Sequence, residues 1–292
     1  MSIKPGKYYA FDLDGNIAKL RTPIYVTRHG QDVVIDPMQY AEVQEKVRNR
    51  LDGWAPCSDK AKTFRAFGPD EEYDGDFVKS LLAAEAGPVA PDFAEAVNGG
   101  NMFAIVTARG HSVEAFKKGF REVILNGLWG TDPNAMAASV GEFVRRAREN
   151  DAKVELPRNW SHRALVDYYL DRCMWYPVTN TAVRAQLTPP GVDPMSMEIE
   201  DLKVVAIRRI IETVKKASKV ILKAGEVVTL GVSDDTPANW RSFIHAMVNR
   251  AFHEAEVPEN VVVYVYDTSA PREGAKDTTV ILRKRCVHKH GK

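Results

Sequence analysis

The chain has 292 residues, 45% of them hydrophobic and 27% charged, and a formal net charge of +1. Its length matches about two domains of ~150 residues, or one domain carrying insertions, and its composition excludes a disordered chain. Near-neutrality excludes attachment to nucleic acid by bulk charge alone.

The first predicted element is the apolar run Tyr8 to Leu13, too short for a helix and closed by Asp14 and Gly15; it reads as a buried strand. A hairpin follows, with arms Ile24 to Thr27 and Val33 to Ile35 turning near Gly30, and then helical patterns over Tyr40 to Leu51 and Phe77 to Ala86. Met102 to Val106 is the second apolar strand, ending at Thr107. Val113, Phe116, Phe120, Val123 and Ile124 then recur at helical spacing, with Ser112 as N-cap and Gly127 as stop. Helical patterns continue over Ala135 to Ala147 and Arg163 to Arg172, before a Pro-rich loop at Thr188 to Pro194. Ile207, Ile210, Ile211 and Val214 mark another amphipathic helix. The third apolar strand, Val227 to Val232, ends at Ser233, Asp234 and Asp235. A helix from Trp240 to Phe252, a strand at Val261 to Val265 closing on Tyr266 to Ser269, and a fifth strand at Thr278 to Leu282 complete the pattern.

Short apolar strands alternating with amphipathic helices predict an α/β fold, with a doubly wound, mainly parallel, Rossmann-like sheet buried on both faces. Residues 1–20, 98–129 and 199–282 make up this core. Residues 21–97 and the mainly helical 130–198 interrupt the alternation and read as cap insertions. Ligands of such sheets bind at the carboxyl ends of the strands, where insertions would cover them.

Polar residues concentrate at those ends: Asp12 and Asp14, then Thr107, then Asp234 and Asp235. A buried parallel sheet brings its strand ends to one edge, so four carboxylates and a hydroxyl converge. Clustered carboxylates repel strongly in a cleft of low dielectric, and a divalent cation relieves this; oxygen-only ligands favour Mg²⁺ over zinc or copper.

In this order the residues resemble the haloacid dehalogenase (HAD) superfamily of phosphohydrolases. Phe11 to Asn16 is similar to its Asp-x-Asp first motif, Phe103 to Thr107 to its second, and Leu230 to Asp235 to its fourth. The resemblance implies Asp12 as nucleophile, Asp14 as general acid and base, Thr107 as a phosphoryl holder, and Lys203 as the basic residue of the third motif. Arg208, Arg209, Lys215, Lys216 and Lys219 compete for that last role. It also implies Mg²⁺ held by Asp12, by the backbone carbonyl of Asp14, and by Asp234 or Asp235. Arg109 and His111, just past Thr107, are placed to reach substrate. Asn16 stands where the family most often has Thr, and can hold the loop by hydrogen bonds. Asn239 fits the spaced form of the fourth motif if Asp235 is the direct ligand.

These features predict a Mg²⁺-dependent phosphatase acting on a small phosphorylated metabolite or nucleotide through an aspartyl-phosphate. A phosphoryl transferase on the same scaffold, and a non-catalytic binding protein keeping the fold, are the alternatives; the intact strand-end acids weigh against the latter. The tail, Arg283 to Lys292, holds five Lys or Arg and no acid, leaving residues 1–282 at −4. It gives a route to nucleic-acid ends, which is not favoured. No P-loop, dinucleotide Gly-x-Gly-x-x-Gly or Gly-x-Ser-x-Gly elbow occurs. Cys57, Cys173 and Cys286 are dispersed, as expected for reduced thiols in the cytoplasm. No apolar run approaches the ~20 residues of a membrane span, and Met1 to Lys7 lack a signal core.

Overall fold

A computed structural model describes residues 7–57, 60–68, 73–149, 161–221, 228–235, 239, 242, 261–268 and 279–284. In chain order they form β1 (Lys7–Phe11), β2 (Ala18–Lys19), β3 (Ile24–Arg28), β4 (Gln31–Ile35), α1 (Pro37–Asn49), β5 (Trp54–Pro56), α2 (Lys60–Thr63), α3 (Asp74–Leu82), β6 (Glu85–Ala86) and α4 (Ala90–Asn98). They continue as β7 (Phe103–Thr107), α5 (Val113–Leu125), α6 (Pro133–Glu149), α7 (His162–Leu170), β8 (Met174–Pro177), α8 (Thr181–Leu187), α9 (Ile199–Ile221), β9 (Val228–Asp234), β10 (Val261–Asp267) and β11 (Thr279–Lys284).

The central sheet has the order β11-β10-β9-β1-β7-β8. Its five strands from β10 to β8 are all parallel, and β11 adds an antiparallel edge. Numbered along the chain from the β8 side, the parallel strands run 3-2-1-4-5, so strand order reverses between β1 and β9. In a Rossmann-like α/β sheet that reversal opens a crevice at the carboxyl ends of the two strands, where ligands bind.

Two cores form because successive side chains of a strand point to opposite faces. Tyr8 and Ala10 of β1, with Ala104 and Val106 of β7, pack with α9 through Leu202, Ile207, Ile210 and Val214. Phe11, Phe103 and Ile105 point the other way, into rings from Phe93, Phe116, Phe120 and Trp175. Burying each such side chain stabilises the fold by about 1.5–3 kcal/mol before ordering costs. Helix α5 shows the local rules at work. Ser112 caps it, accepting from Ala115 N at 3.0 Å, and Gly127 at φ +65° allows the chain to turn away.

Three expectations change. Residues 130–198 are not an insertion as a whole: β8 joins the central sheet beside β7, and α7 packs on α5 through the same core. β8 is only four residues long and ends in Pro177, so it lacks an apolar run long enough to stand out. The first insertion also ends earlier than residue 97. β2 and β6 pair across its base, and α4 belongs to the main core through Phe93, Ala96 and Val97. What stands apart is a small unit with sheet order β4-β3-β5 and its own core of Ile24, Val26, Ile35, Val47 and Trp54. Finally, β9 is not apolar on both faces. Val228, Leu230 and Val232 enter the α9 core, whereas Thr229, Gly231 and Ser233 alternate with them.

Cys57 and Cys173 are buried and in no disulfide. Among the described residues no helix is long and apolar enough to cross a membrane. The predicted helix from Trp240 to Phe252, except residue 242, lies outside the described residues, as do Cys286 and the tail beyond Lys284.

Candidate functional site

Register brings the acids together. Phe11 pairs with Ser233, and Asp12 N donates to Ser233 O at 3.0 Å, so Asp12 and Asp234 leave adjacent strands at the same level. On the other side Phe11 pairs with Ile105, which sets Thr107 near the same edge. One carboxylate oxygen from each of Asp12, Asp234 and Asp235 lies within 4.8 Å of the others.

Lys203 closes the cluster. It sits one helical turn before Ala206 and Ile207 and two before Ile210, on the buried stripe of α9, and reaches the strand ends. Its Nζ donates to Asp234 Oδ2 at 2.8 Å and lies 3.2 Å from Asp12 Oδ1. Arg208, Arg209, Lys215 and Lys216 are all more exposed, so Lys203 alone among these candidates is buried with the acids. The side chain of Lys219 lies outside the described residues.

Burial raises the Asp12 carboxyl well above the usual range, partly offset by Lys203 and reinforced by Asp234, Asp235 and Asp14. Burial and the charge of Asp234 push Asp235 up to about 7. For Lys203, burial works to lower the pKa, but Asp12 and Asp234 overcome it and the ammonium is held more tightly protonated.

A cation fits this arrangement. Three carboxylates against one ammonium leave a formal −2 in a buried cluster. Asp12 Oδ1 is buried and its nearest partner is the Lys203 ammonium at 3.2 Å, an ion pair with no hydrogen bond. The donors are all oxygens, which suits a hard divalent ion. Asp234 spends one oxygen on Lys203 and the other on Asn239 Nδ2, at 3.0 Å. Asp235 instead lies against Gly15, whose φ is +68° and where an added Cβ would collide with the Asp235 carboxylate. Asp235 thereby sits against the loop that follows Asp12.

No protein-family model, curated protein or solved structure matches the chain.

The remaining expected residues divide. Thr107 is buried at the end of β7, where its Oγ1 accepts from Arg109 N at 3.4 Å. The Asp14 carboxylate lies beside the acidic triad without joining it and is engaged by Arg109, whose Nε donates to Oδ2 at 2.8 Å and Nη2 to Oδ1 at 2.7 Å. Arg109 is 0% exposed, so the expectation of a side chain open to substrate meets a guanidinium already engaged inside the protein. His111 is likewise fully buried, stacked on Phe77 with ring centroids 4.4 Å apart. Burial and the neighbouring Arg109 charge lower its pKa to about 3, against a smaller opposing effect of the Ala66 backbone.

Asn16 holds the loop by hydrogen bonds as expected, through one partner that the strand-end pattern does not single out, Thr268. Asn16 Nδ2 donates to Thr268 Oγ1 at 2.7 Å, and Ser233 Oγ donates to Asn16 Oδ1 at 2.9 Å. This buried chain ties the β1 loop to the ends of β9 and β10. Sequence reading treats Thr268 as a turn residue; a hydroxyl directly after a buried strand is the only available hint.

Proposed function

We propose that the chain is a divalent-metal-dependent phosphomonoesterase of the HAD type, with Mg²⁺ as the expected ion and a small phosphorylated metabolite or nucleotide as substrate. The observation that carries this reading is the Asp12 carboxylate. It is buried at the strand-order reversal, its Oδ1 faces the Lys203 ammonium at 3.2 Å, and two further acids flank it. A carboxylate so placed is a nucleophile with its counter-charges already arranged.

An Asp12 oxygen attacks phosphorus, and the bond from phosphorus to the ester oxygen breaks with its electron pair leaving on that oxygen. The departing oxygen takes a proton from the Asp14 carboxyl. The carboxylate of Asp14 then removes a proton from water, whose oxygen attacks the aspartyl-phosphate and releases Asp12 and inorganic phosphate. Lys203 balances phosphoryl charge and the crowded acids, and Thr107 with nearby backbone N–H groups holds the phosphoryl oxygens. Asp12, Asp235 and, through its neighbours, Asp234 would hold the cation, which neutralises phosphoryl charge when bound. The small unit of β3, β4, β5 and α1 stands as the cap.

The test is a panel of phosphomonoesters, including nucleotides, sugar phosphates and 3′-phosphorylated oligonucleotides, assayed with Mg²⁺ and with excess EDTA. Mg²⁺-dependent phosphate release from a subset of small esters is expected. Full activity in excess chelator, or no release from any ester, refutes the proposal.

A further inference from the structure

Among the described residues Arg109 is the largest fully buried side chain, and its contacts converge on one carboxylate. Its two-pronged bond takes both Asp14 oxygens, while Nη2 also donates to Thr22 Oγ1 at 2.7 Å. The guanidinium lies over the Phe67 ring at 4.3 Å and the Phe77 ring at 5.3 Å. Gly110 N, next to it, donates to Phe67 O at 2.7 Å. Thr22 lies just before β3, and Phe67 lies on the chain leaving the small unit. Both crossings into that unit therefore meet at Arg109.

Asp14 keeps 19% of its side chain exposed, whereas the guanidinium behind it has none. A planar fork on a carboxylate fixes both its position and its plane, which a lysine cannot do. Burying so large a cation stabilises little by itself, since desolvation offsets most of the attraction. The geometry points instead to control of Asp14.

We infer that Arg109 is a positioning residue: it holds the Asp14 carboxyl at the angle needed to move protons at the reacting oxygen, and it links that angle to the seating of the small unit through Thr22 and Phe67. The inference rests on the phosphatase reading, in which Asp14 carries the proton in both steps.

An aryl phosphate with a nitrophenolate leaving group separates positioning from mere support. That group departs without a proton, so aspartyl-phosphate formation survives a misplaced Asp14. Hydrolysis of the intermediate still needs Asp14 to activate water. Rapid-mixing assays should compare wild type with Arg109→Lys, which keeps the charge and loses the fork, and with Thr22→Val, which loses only the hydroxyl. In Arg109→Lys the nitrophenolate burst should keep its rate and approach one equivalent per protein, while steady-state turnover falls roughly a hundredfold, the usual scale of one proton-transfer group. Thr22→Val should show the same pattern with a smaller loss, and it decides the matter if Arg109→Lys does not fold. Three results would overturn the inference: burst and steady-state rates falling together, a raised KM with kcat kept, or a Thr22→Val protein indistinguishable from wild type. A wild-type protein inert toward every ester takes the phosphatase reading down and this inference with it, whereas an active wild type with those variant results removes the inference alone.

Discussion

His111 should make the protein acid-sensitive by an amount that follows from its burial. The imidazole is fully buried against Phe77, and its pKa is lowered from 6.5 to about 3 by burial first and by the Arg109 charge second. Above about pH 6.5 it is neutral in both folded and unfolded states and the linkage costs nothing. As pH falls below that value the unfolded chain takes up a proton that the folded protein refuses, so stability declines until the pH reaches about 3. The limiting slope is about 1.4 kcal/mol per pH unit, so between neutrality and pH 5 the loss from this one residue is about 2 kcal/mol. Urea unfolding of wild type and His111→Phe at several pH values between about 7.5 and 5 measures it. Phenylalanine keeps a ring on Phe77 and removes the titration, and other groups cancel in the difference between the two proteins. The variant should gain on wild type by about 2 kcal/mol over that range. A difference independent of pH would show that the imidazole protonates in place and that the burial argument fails.

Asp12→Asn should abolish phosphate release by roughly a thousandfold or more while leaving the metal-free protein at least as stable, because the amide is a very poor nucleophile and relieves a crowded, desolvated carboxylate; turnover assays and thermal melts check both halves. Lys203→Met should lower stability by about 3–5 kcal/mol without metal, since Asp12 and Asp234 lose their buried partner, and added Mg²⁺ should restore more of its melting temperature than it adds to wild type. A metal-free Lys203→Met protein as stable as wild type would contradict the charge accounting. Gly15→Ala should fold with a loss of about 1–2 kcal/mol from its positive φ, yet lose the Mg²⁺-induced thermal shift because the new methyl displaces Asp235; an unchanged shift would exclude Asp235 as a ligand.

Much of the framework was legible from local pattern. Four apolar runs matched β1, β7, β9 and β10, and Ser112 and Gly127 bracketed α5, because strand burial, capping and positive φ depend on neighbours in sequence. The acids at the ends of β1 and β9 could be assigned to one edge because parallel strands point their carboxyl ends the same way, and the register places Asp12 beside Asp234. The resemblance pointed to Lys203 at the start of α9, and its burial against Asp12 and Asp234 is what separates it from Arg208 and Arg209.

Other features depend on partners far apart in the chain. β8 reads as too short to be a core strand until Ala104 to Thr107 pair with it. Nothing near Arg109 in sequence names Asp14 as its partner, 95 positions away, or Thr22, 87 positions away. The same holds for Asn16 and Thr268, separated by 252 positions. A side chain's sequence neighbours set its backbone conformation and the face it points from, and that is what periodicity and turn residues encode. The charge or hydroxyl it meets is set by how the sheet stacks and how the small unit seats. The sequence by itself therefore determined the strands, their acidic ends and the chemistry those ends suggest. Only the tertiary structure decided that Asp12 shares Lys203 with Asp234, and that Asp14 belongs to Arg109.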